Sequence, residues 1–342
     1  MKFTVGYQQR EDASFLNSII ARKERIHEVY FAFGDFANGR GRPNGKEGLL
    51  PCEADSRTLL DLALLSEAGI ALNILFNANC YGRDSESRAF FHRVGETLDF
   101  FVSRYGLASV TTASPLIAKF VKENFEGVRV RASVNMEIGT CEGMDYLADR
   151  FDSFYMKREL NRNFPAIRRL KKWCDENGKE LFMLANSGCL NFCSSHIFHD
   201  NLVAHETEIL AMDNAYLYRG TCWEYLKDPA HHYALVERTN YVRPEDISLY
   251  DGLVTAAKLA TRVNAAPERV LAAYTEGKYI GSPLELCEPN HAGAIYPAYL
   301  DNRLFPQDFA ARVGNCSKNC EECGYCKEVF TNASINLEEG LC

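Results

Sequence analysis

The sequence predicts an α/β protein built as a (β/α) barrel, with a small cysteine-rich extension at its C-terminal end. Three observations carry that reading. Short apolar, β-rich runs alternate with longer segments of helical period. The alternation yields eight candidate strands, which favours a closed TIM-like barrel over an open sheet, because parallel neighbours need crossover helices and not tight turns. Beyond the repeats the pattern breaks into a Pro- and Gly-punctuated stretch that leads to CSKNCEECGYC at 316–326.

In chain order, FTVGY precedes a helix over ASFLNSIIARKERI, EVYFAF one near SRTLLDLALLSEAG, and IALNILF one over RAFFHRVGETLDFFVSRYG. ASVTTA is followed by PLIAKFVKENF, VRVRASV by a helix near CEGMDYLADRF, and SFYMK by NFPAIRRLKKWCDENG. LFMLA is the seventh strand and AYLYR, at 215–219, the expected eighth. Helices are expected over SLYDGLVTAAKLATRV and APERVLAAYTEG, then a boundary near residue 280. The expected domains are therefore a barrel over 1–280 and a metal-binding extension over 281–342.

Composition narrows the function classes. With 25% charged and 46% hydrophobic residues, the 342-residue chain has globular usage and enough length for a large core. A formal charge of −8 offers no global footprint for long nucleic acid. The opening Met1–Tyr7 runs straight into strand-like sequence without the basic-then-apolar pattern of a secretory signal, and no apolar run approaches the roughly 18 residues of a membrane span. A cytoplasmic protein without membrane partners is expected. Thirteen cysteines in such a chain argue for metal ligation or buried thiols more than for disulfides.

Chemistry in a barrel of this kind sits where the strands end, because the loops there converge on one mouth. The positions just past the candidate strands are strongly polar: Gln8, Gly34, Asp35, Asn77, Asn79, Ser114, Asn135, Glu137, Arg158, Glu159, Asn186 to Cys189, and Arg219. From these, Arg158 is the candidate for gripping a carboxylate or phosphate, Glu159 and His196 for moving a proton, and Asn79 and Asn135 for substrate contacts, with Arg243 added from the block NYVRPEDISLYDG. Arg158 and Glu159 also suit an ion pair closing the mouth, and Pro244, Glu245 and Asp246 suit a helix start.

The cysteines fall into two sets. Cys316, Cys320, Cys323 and Cys326 are close enough in sequence to wrap one metal centre without long loop closure. Their tight spacing favours an iron–sulfur cluster, of 4Fe-4S type on ferredoxin-like ligation, over zinc, which remains the alternative. The CxxxCxxC part also matches radical S-adenosylmethionine enzymes, but those carry it early in the barrel and without a fourth cysteine. The second set begins with Cys189 and Cys193, read as facing one side of a helical turn, and Cys222, read as following the eighth strand. Its fourth ligand is Cys287, Cys174, Cys52 or a histidine, and the sequence does not choose among them. His196, His199 and His205 follow closely. Cys80, Cys141 and Cys342 have no partner by spacing and read as structural or incidental.

The blocks EVYFAFGDFANGRGRPN, GIALNILFNAN, YMKREL, ELFMLANSGCLNFC and NYVRPEDISLYDG, with Lys258 and Arg262 after the last, resemble the collagenase-like peptidase family U-32, in its RPED-containing subgroup with a C-terminal cysteine cluster. Asn186-Ser187-Gly188-Cys189 departs from the family's peptidase-type signature, and no nucleophile triad or HExxH helix is evident in the sequence. The resemblance implies a barrel with one or two clusters near its mouth. It further implies oxygen-independent hydroxylation of a small aromatic metabolite or an RNA base, and an organic oxygen donor such as prephenate. A second family subunit is an implied partner. A metal-dependent hydrolase or peptidase and a non-catalytic partner subunit are the alternative functions.

Overall fold

The computed structural model describes residues 1–39 and 51–338. Residues 40–44 of the second-strand motif, the side chain of Cys52, and Cys342 lie outside the described residues.

Eight parallel strands close into a barrel in the order β1 (Phe3–Gly6), β2 (Ile26–Phe31), β3 (Leu72–Phe76), β4 (Ser109–Thr112), β5 (Arg129–Ala132), β6 (Ser153–Tyr155), β7 (Glu180–Leu184) and β8 (Ala256–Leu259), with β8 returning to β1. The first seven match the runs expected from sequence. Crossover helices α1 (Ser14–Ala21), α2 (Pro51–Glu67), α3 (Arg88–Tyr105), α4 (Pro115–Asn124), α5 (Cys141–Asp145) and α6 (Phe164–Glu176) lie between them. Several of the polar residues that follow strands start these helices: Ser87 Oγ accepts from Phe90 N at 3.1 Å, Ser114 Oγ from Ile117 N at 3.3 Å, and Asn163 Oδ1 from Ala166 N at 3.1 Å. Each bond satisfies a backbone donor that the first turn leaves without a partner.

The eighth strand is not AYLYR. That stretch lies in the connection between β7 and β8, where Tyr216 is 94% exposed, so its strand-like alternation has no sheet to join. β8 comes from AAKL, inside the segment read as a helix. Small residues fit either period, and what decides the strand is burial between β7 and β1. The preceding residues form a 3₁₀ helix, Pro244–Tyr250, so the helix start expected at Pro244 is present in tighter form.

The barrel interior is polar at its centre. Glu28 of β2 pairs with Arg131 of β5, and both are 2% exposed. Asn73 Nδ2 donates to Glu28 Oε1 at 3.0 Å, Ser109 Oγ to Oε2 at 3.1 Å, and Arg131 Nε to Ser153 Oγ at 3.0 Å. The guanidinium lies 3.8 Å from the centre of the Phe182 ring on β7. Thr4 of β1 bonds the Tyr155 hydroxyl at 2.9 Å, and Lys258 of β8 sits 4.2 Å from the Tyr30 ring centre. All eight strands thus meet across the interior.

The connection from β7 to β8 carries α7 (His196–Ala204), α8 (Glu206–Leu210), α9 (Thr221–Tyr225) and α10 (Ala234–Glu237). After β8 come α11 (Pro267–Glu276), β9 (Ala298–Leu300), α12 (Phe309–Gly314), α13 (Cys320–Cys323), α14 (Tyr325–Ala333) and β10 (Ser334–Asn336), with β9 and β10 antiparallel. A second apolar cluster joins Leu226, Leu235, Val236 and Tyr241 from the connection to Leu284, Ile295, Phe309 and Val329 from the terminal region. The terminal region therefore shares its core with the β7–β8 connection. Among the described residues no helix is long and apolar enough to cross a membrane.

Replacing Arg131 by Met leaves the Glu28 carboxylate buried without its cation, and a destabilisation of about 3–5 kcal/mol is expected from urea unfolding. Adding Glu28→Gln to that variant is expected to restore part of the loss; a double variant as unstable as the sum of the two single ones removes the coupling.

Candidate functional site at the barrel mouth

A small cavity at the C-terminal ends of the strands is lined by Tyr30, Asn77, Asn135, Arg158, Asp200, Lys258, Arg262 and Glu288, among others. Arg158 follows β6 on a single 3₁₀ turn, Arg158–Leu160, and is 6% exposed. Lys258 and Arg262, from β8 and the residues after it, are buried beside it. Three cations thus face one cavity. Asn135 Nδ2 donates to Asn77 O at 3.1 Å, and Asn79 Nδ2 to Asp200 Oδ2 at 3.3 Å, so Asn135 lines the cavity while Asn79, exposed, ties its rim to α7.

Beside this cavity Glu137, Glu159 and His196 each place a ligand atom within 4.8 Å of the others. His196 Nδ1 lies 3.0 Å from Glu137 Oε1; Nε2 is 3.4 Å from Asp200 Oδ2 but not aligned to bond it. Glu159 Oε2 is buried with no hydrogen bond among the described residues. The bond from His196 holds the Glu137 carboxyl below the ordinary carboxylate range, with the charges of His196, Arg158 and Lys157 adding to it. Glu159 and His196, selected from sequence as proton-moving groups, are therefore neighbours. The arrangement also suits a divalent cation held by one nitrogen and two carboxylates.

Cys189 follows β7 and receives Arg158 Nη1 at 3.5 Å. Its loop is fixed by Asn186, fully buried, whose side chain donates to Ala260 O at 2.9 Å and Leu286 O at 2.8 Å and accepts from Ala260 N at 2.7 Å. Gly188 N then donates to Glu288 O at 3.1 Å. A Cβ at Gly188 would fall 2.1 Å from Pro289 O and 3.1 Å from Cys287 Cβ, so only glycine lets these two segments approach so closely. The NSGC sequence is thus the joint that brings Cys189 to Cys287.

Burial pushes the Cys222 thiol up to about 11, and the nearness of Cys189 and Cys193 adds to the rise. Burial raises Cys287 as well, with Cys189 as a smaller contributor. Cys189 thus lies near both Cys222 and Cys287, and Cys193 near Cys222. Two details differ from expectation. Residues 189–195 are turns and not helix, and Cys222 sits on α9 within the β7–β8 connection instead of after the last strand. Cys174 is buried in the barrel core, with its sulfur 3.9 Å from Met144 Sδ, which removes it as a ligand here.

All four tail cysteines, Cys316, Cys320, Cys323 and Cys326, line one small cavity together with Glu237, Lys318 and Tyr325. Burial pushes Cys326 up to about 11 and raises Cys320. A single tetrahedral zinc would draw its sulfurs to about 3.8 Å from one another. Among the described residues neither cysteine set is contracted to a three-ligand group of 4.8 Å. A cluster holds its thiolates farther apart, with sulfide and several irons between them, and the four residues suit either centre.

Arg162, which sequence reasoning did not select, lies between the two sets. It is 6% exposed, donates to Val236 O at 2.7 Å and Tyr241 O at 3.0 Å, and packs against the Tyr241 and Phe309 rings. Its charge acts to lower both Cys287 and Cys326. His291 was also missed: it is 1% exposed, packs against Trp223, and burial holds it down to about 4. Arg243 is a correction. It makes a two-point pair with Asp246, at 2.7 and 3.0 Å, and stacks on Phe305 and Phe309, so it anchors the terminal region instead of facing the mouth.

No family model matches the chain. It is 25% identical over 324 residues to an uncharacterized protease of Methanocaldococcus jannaschii, covering 91% of this chain and 90% of that protein. The solved structure of a U32 peptidase superposes with a TM-score of 0.52 at 15% identity, covering 75% of this chain and 91% of that one, and has the same fold.

Because the folded Glu137 carboxyl titrates below its unfolded value, its tie to His196 is complete above the ordinary carboxylate range and is lost as pH falls through the depressed value. In a carboxyl-resolved NMR titration, His196→Ala is expected to move Glu137 upward, towards the ordinary carboxylate range. An unmoved titration removes His196 as the cause.

Proposed function

We propose that this chain, which is similar to an uncharacterized protease and shares its fold with a U32 peptidase, is an iron–sulfur redox enzyme. The proposed reaction is an oxygen-independent hydroxylation, or one related to it, of an aromatic ring or nucleobase. The observation that supports this reading is the grouping of eight cysteines into two neighbouring sites, one against the barrel mouth and one in the terminal region, with the buried Arg162 between them.

Cys189, Cys193, Cys222 and Cys287 would hold one cluster, and Cys316, Cys320, Cys323 and Cys326 a second; bound there, a cluster supplies one-electron transfer. The raised thiols mean that binding releases protons, so loading is favoured as pH rises. Arg158, with Lys258 and Arg262 facing the same cavity, binds an anionic group of the substrate or oxygen donor. His196 and Glu159 hold and move a proton at His196 Nε2 and Glu159 Oε2, both of them buried atoms without a hydrogen bond among the described residues. A cluster on the tail set would supply electrons to one at the mouth, with Arg162 placed near Cys287 and Cys326.

A metal-dependent hydrolase is the second reading, favoured by the compact Glu137, Glu159 and His196 group. Anaerobic purification with iron, sulfide and zinc analysis separates the two. The redox reading expects a brown protein that bleaches on oxidation, whereas zinc with full activity in air overturns it. Cluster absorption with turnover only after a second chain is added assigns the partner-subunit role instead.

Cys189→Ala is expected to abolish activity and remove about half the iron, and Cys323→Ala the other half. Unaltered iron content in both variants ends the two-centre proposal. Gly188→Ala, which forces the Cys189 and Cys287 segments apart, is expected to lower iron at the mouth while sparing the tail; full loading of both centres removes the role given to that glycine.

A further inference from the structure

The cavity lined by the four tail cysteines carries two further donors, Tyr325 and Lys318, that take no part in the proposed reaction. Tyr325 opens α14, next to Cys326. Its ring is held against α12 by Arg312, whose guanidinium lies 3.7 Å from the ring centre, and by Phe309, stacked on it at 6.4 Å. Its hydroxyl is buried and has no hydrogen bond among the described residues. A buried polar group left without its bond costs about 1–3 kcal/mol, so the placement of this phenol needs an acceptor to account for it. The carboxylate on the same cavity, Glu237, is paired with Arg238 at 3.5 Å. The sulfurs of the tail cysteines line the cavity with the phenol and are its candidate acceptors.

Lys318 stands between Cys316 and Cys320 with a φ of +64°, a left-handed conformation that residues other than glycine rarely adopt. Its ammonium donates to Val313 O on α12 and to Arg162 O, which ties the cysteine loop to the body of the protein. The Cys316 thiol donates to the same Val313 O at 3.4 Å, so the ammonium and the sulfur meet at one carbonyl. Two of the three ammonium N–H bonds are spent on carbonyls, which leaves one for a sulfur that shares their acceptor.

We propose that Tyr325 and Lys318 are positioning residues of the tail centre, donating O–H and N–H bonds to cluster sulfur and so raising the potential at which that centre is reduced. The inference rests on the reading that Cys316, Cys320, Cys323 and Cys326 hold an iron–sulfur cluster. Reduction takes one electron from an external one-electron donor, which is oxidised, and leaves one more negative charge spread over the iron and sulfur. Hydrogen bonds strengthen with the charge of their acceptor, so both donors hold the reduced form more tightly than the oxidised one. Zinc has no second oxidation state, and at a zinc site the same donors would alter affinity alone.

The test is a redox titration of the anaerobically reconstituted full chain, followed by electron paramagnetic resonance, with iron and zinc analysis of the same samples. Dithionite supplies the electron and is oxidised to sulfite. The tail signal is the one that Cys323→Ala removes. At the potential that half-reduces the tail cluster of the parent protein, Tyr325→Phe is expected to lower the ratio of reduced to oxidised tail cluster about tenfold. Iron content and the midpoint of the mouth centre are expected to stay unchanged. In deuterium oxide the reduced tail signal is expected to couple to exchangeable deuterons, and Tyr325→Phe to lose one of those couplings. Lys318→Met is expected to shift the tail midpoint in the same direction, and Lys318→Arg, which keeps the charge, to restore most of it. If Lys318→Met does not fold, Tyr325→Phe decides the case. An iron-loaded Tyr325→Phe protein with the parent's midpoint and couplings overturns the inference and leaves the cluster reading standing. Zinc, or no metal, at the tail cysteines overturns both.

Discussion

The pairing of Glu28 with Arg131 across the barrel interior is the constraint on which the rest of the molecule depends. An ion pair at 2% exposure is tolerated only when its remaining bonding capacity is filled. Asn73, Ser109 and Ser153 fill it from three further strands, and Phe182 covers the guanidinium from a fourth. The strand register is set by this demand, because slipping any one strand by a residue would turn its polar partner outward. With the register fixed, the strand ends are fixed, and with them the positions of Asn77, Asn135 and Arg158 around one cavity.

On that frame the long β7–β8 connection provides much of what surrounds the mouth. It supplies His196 and Asp200 through α7, Cys222 through α9, and half of the second apolar cluster. The terminal region supplies the other half and brings Cys287 back against Cys189 through the pairing of Gly188 with Glu288. The boundary drawn near residue 280 thus cuts through a shared core. Arg162 and Arg243 strengthen that joint: both are buried and both pack on Phe309, one reaching Tyr241 and the other Phe305. The two cysteine sets are held near each other by this packing and not by closeness in sequence.

Seven strands and the polar character of their ends were legible in the sequence, because each strand pairs locally with the next and its periodicity survives in the chain. AYLYR was misread since alternation alone does not say whether a neighbouring strand exists; AAKL was missed since two alanines fit helix and strand alike. Among site residues, Arg158, Asn135, Glu159 and His196 were found from their place after strands or in a motif, and the structure groups them. Arg243 was drawn to the site by its motif but is engaged by Asp246 three residues on. Arg162 and His291 carried no local signal, for nothing in the adjoining residues marks a side chain that will be buried beside segments far away in the chain.

The sequence by itself determined the α/β alternation, the closed count of strands and the tight spacing of the four tail cysteines, because these rest on interactions between residues near one another along the chain. Only the tertiary structure decided which strand completes the barrel and that Asn186 and Gly188 join Cys189 to Cys287. Those contacts span from about one hundred to over two hundred and fifty residues, and at such separations partners are chosen by three-dimensional packing, for which a linear pattern holds no code.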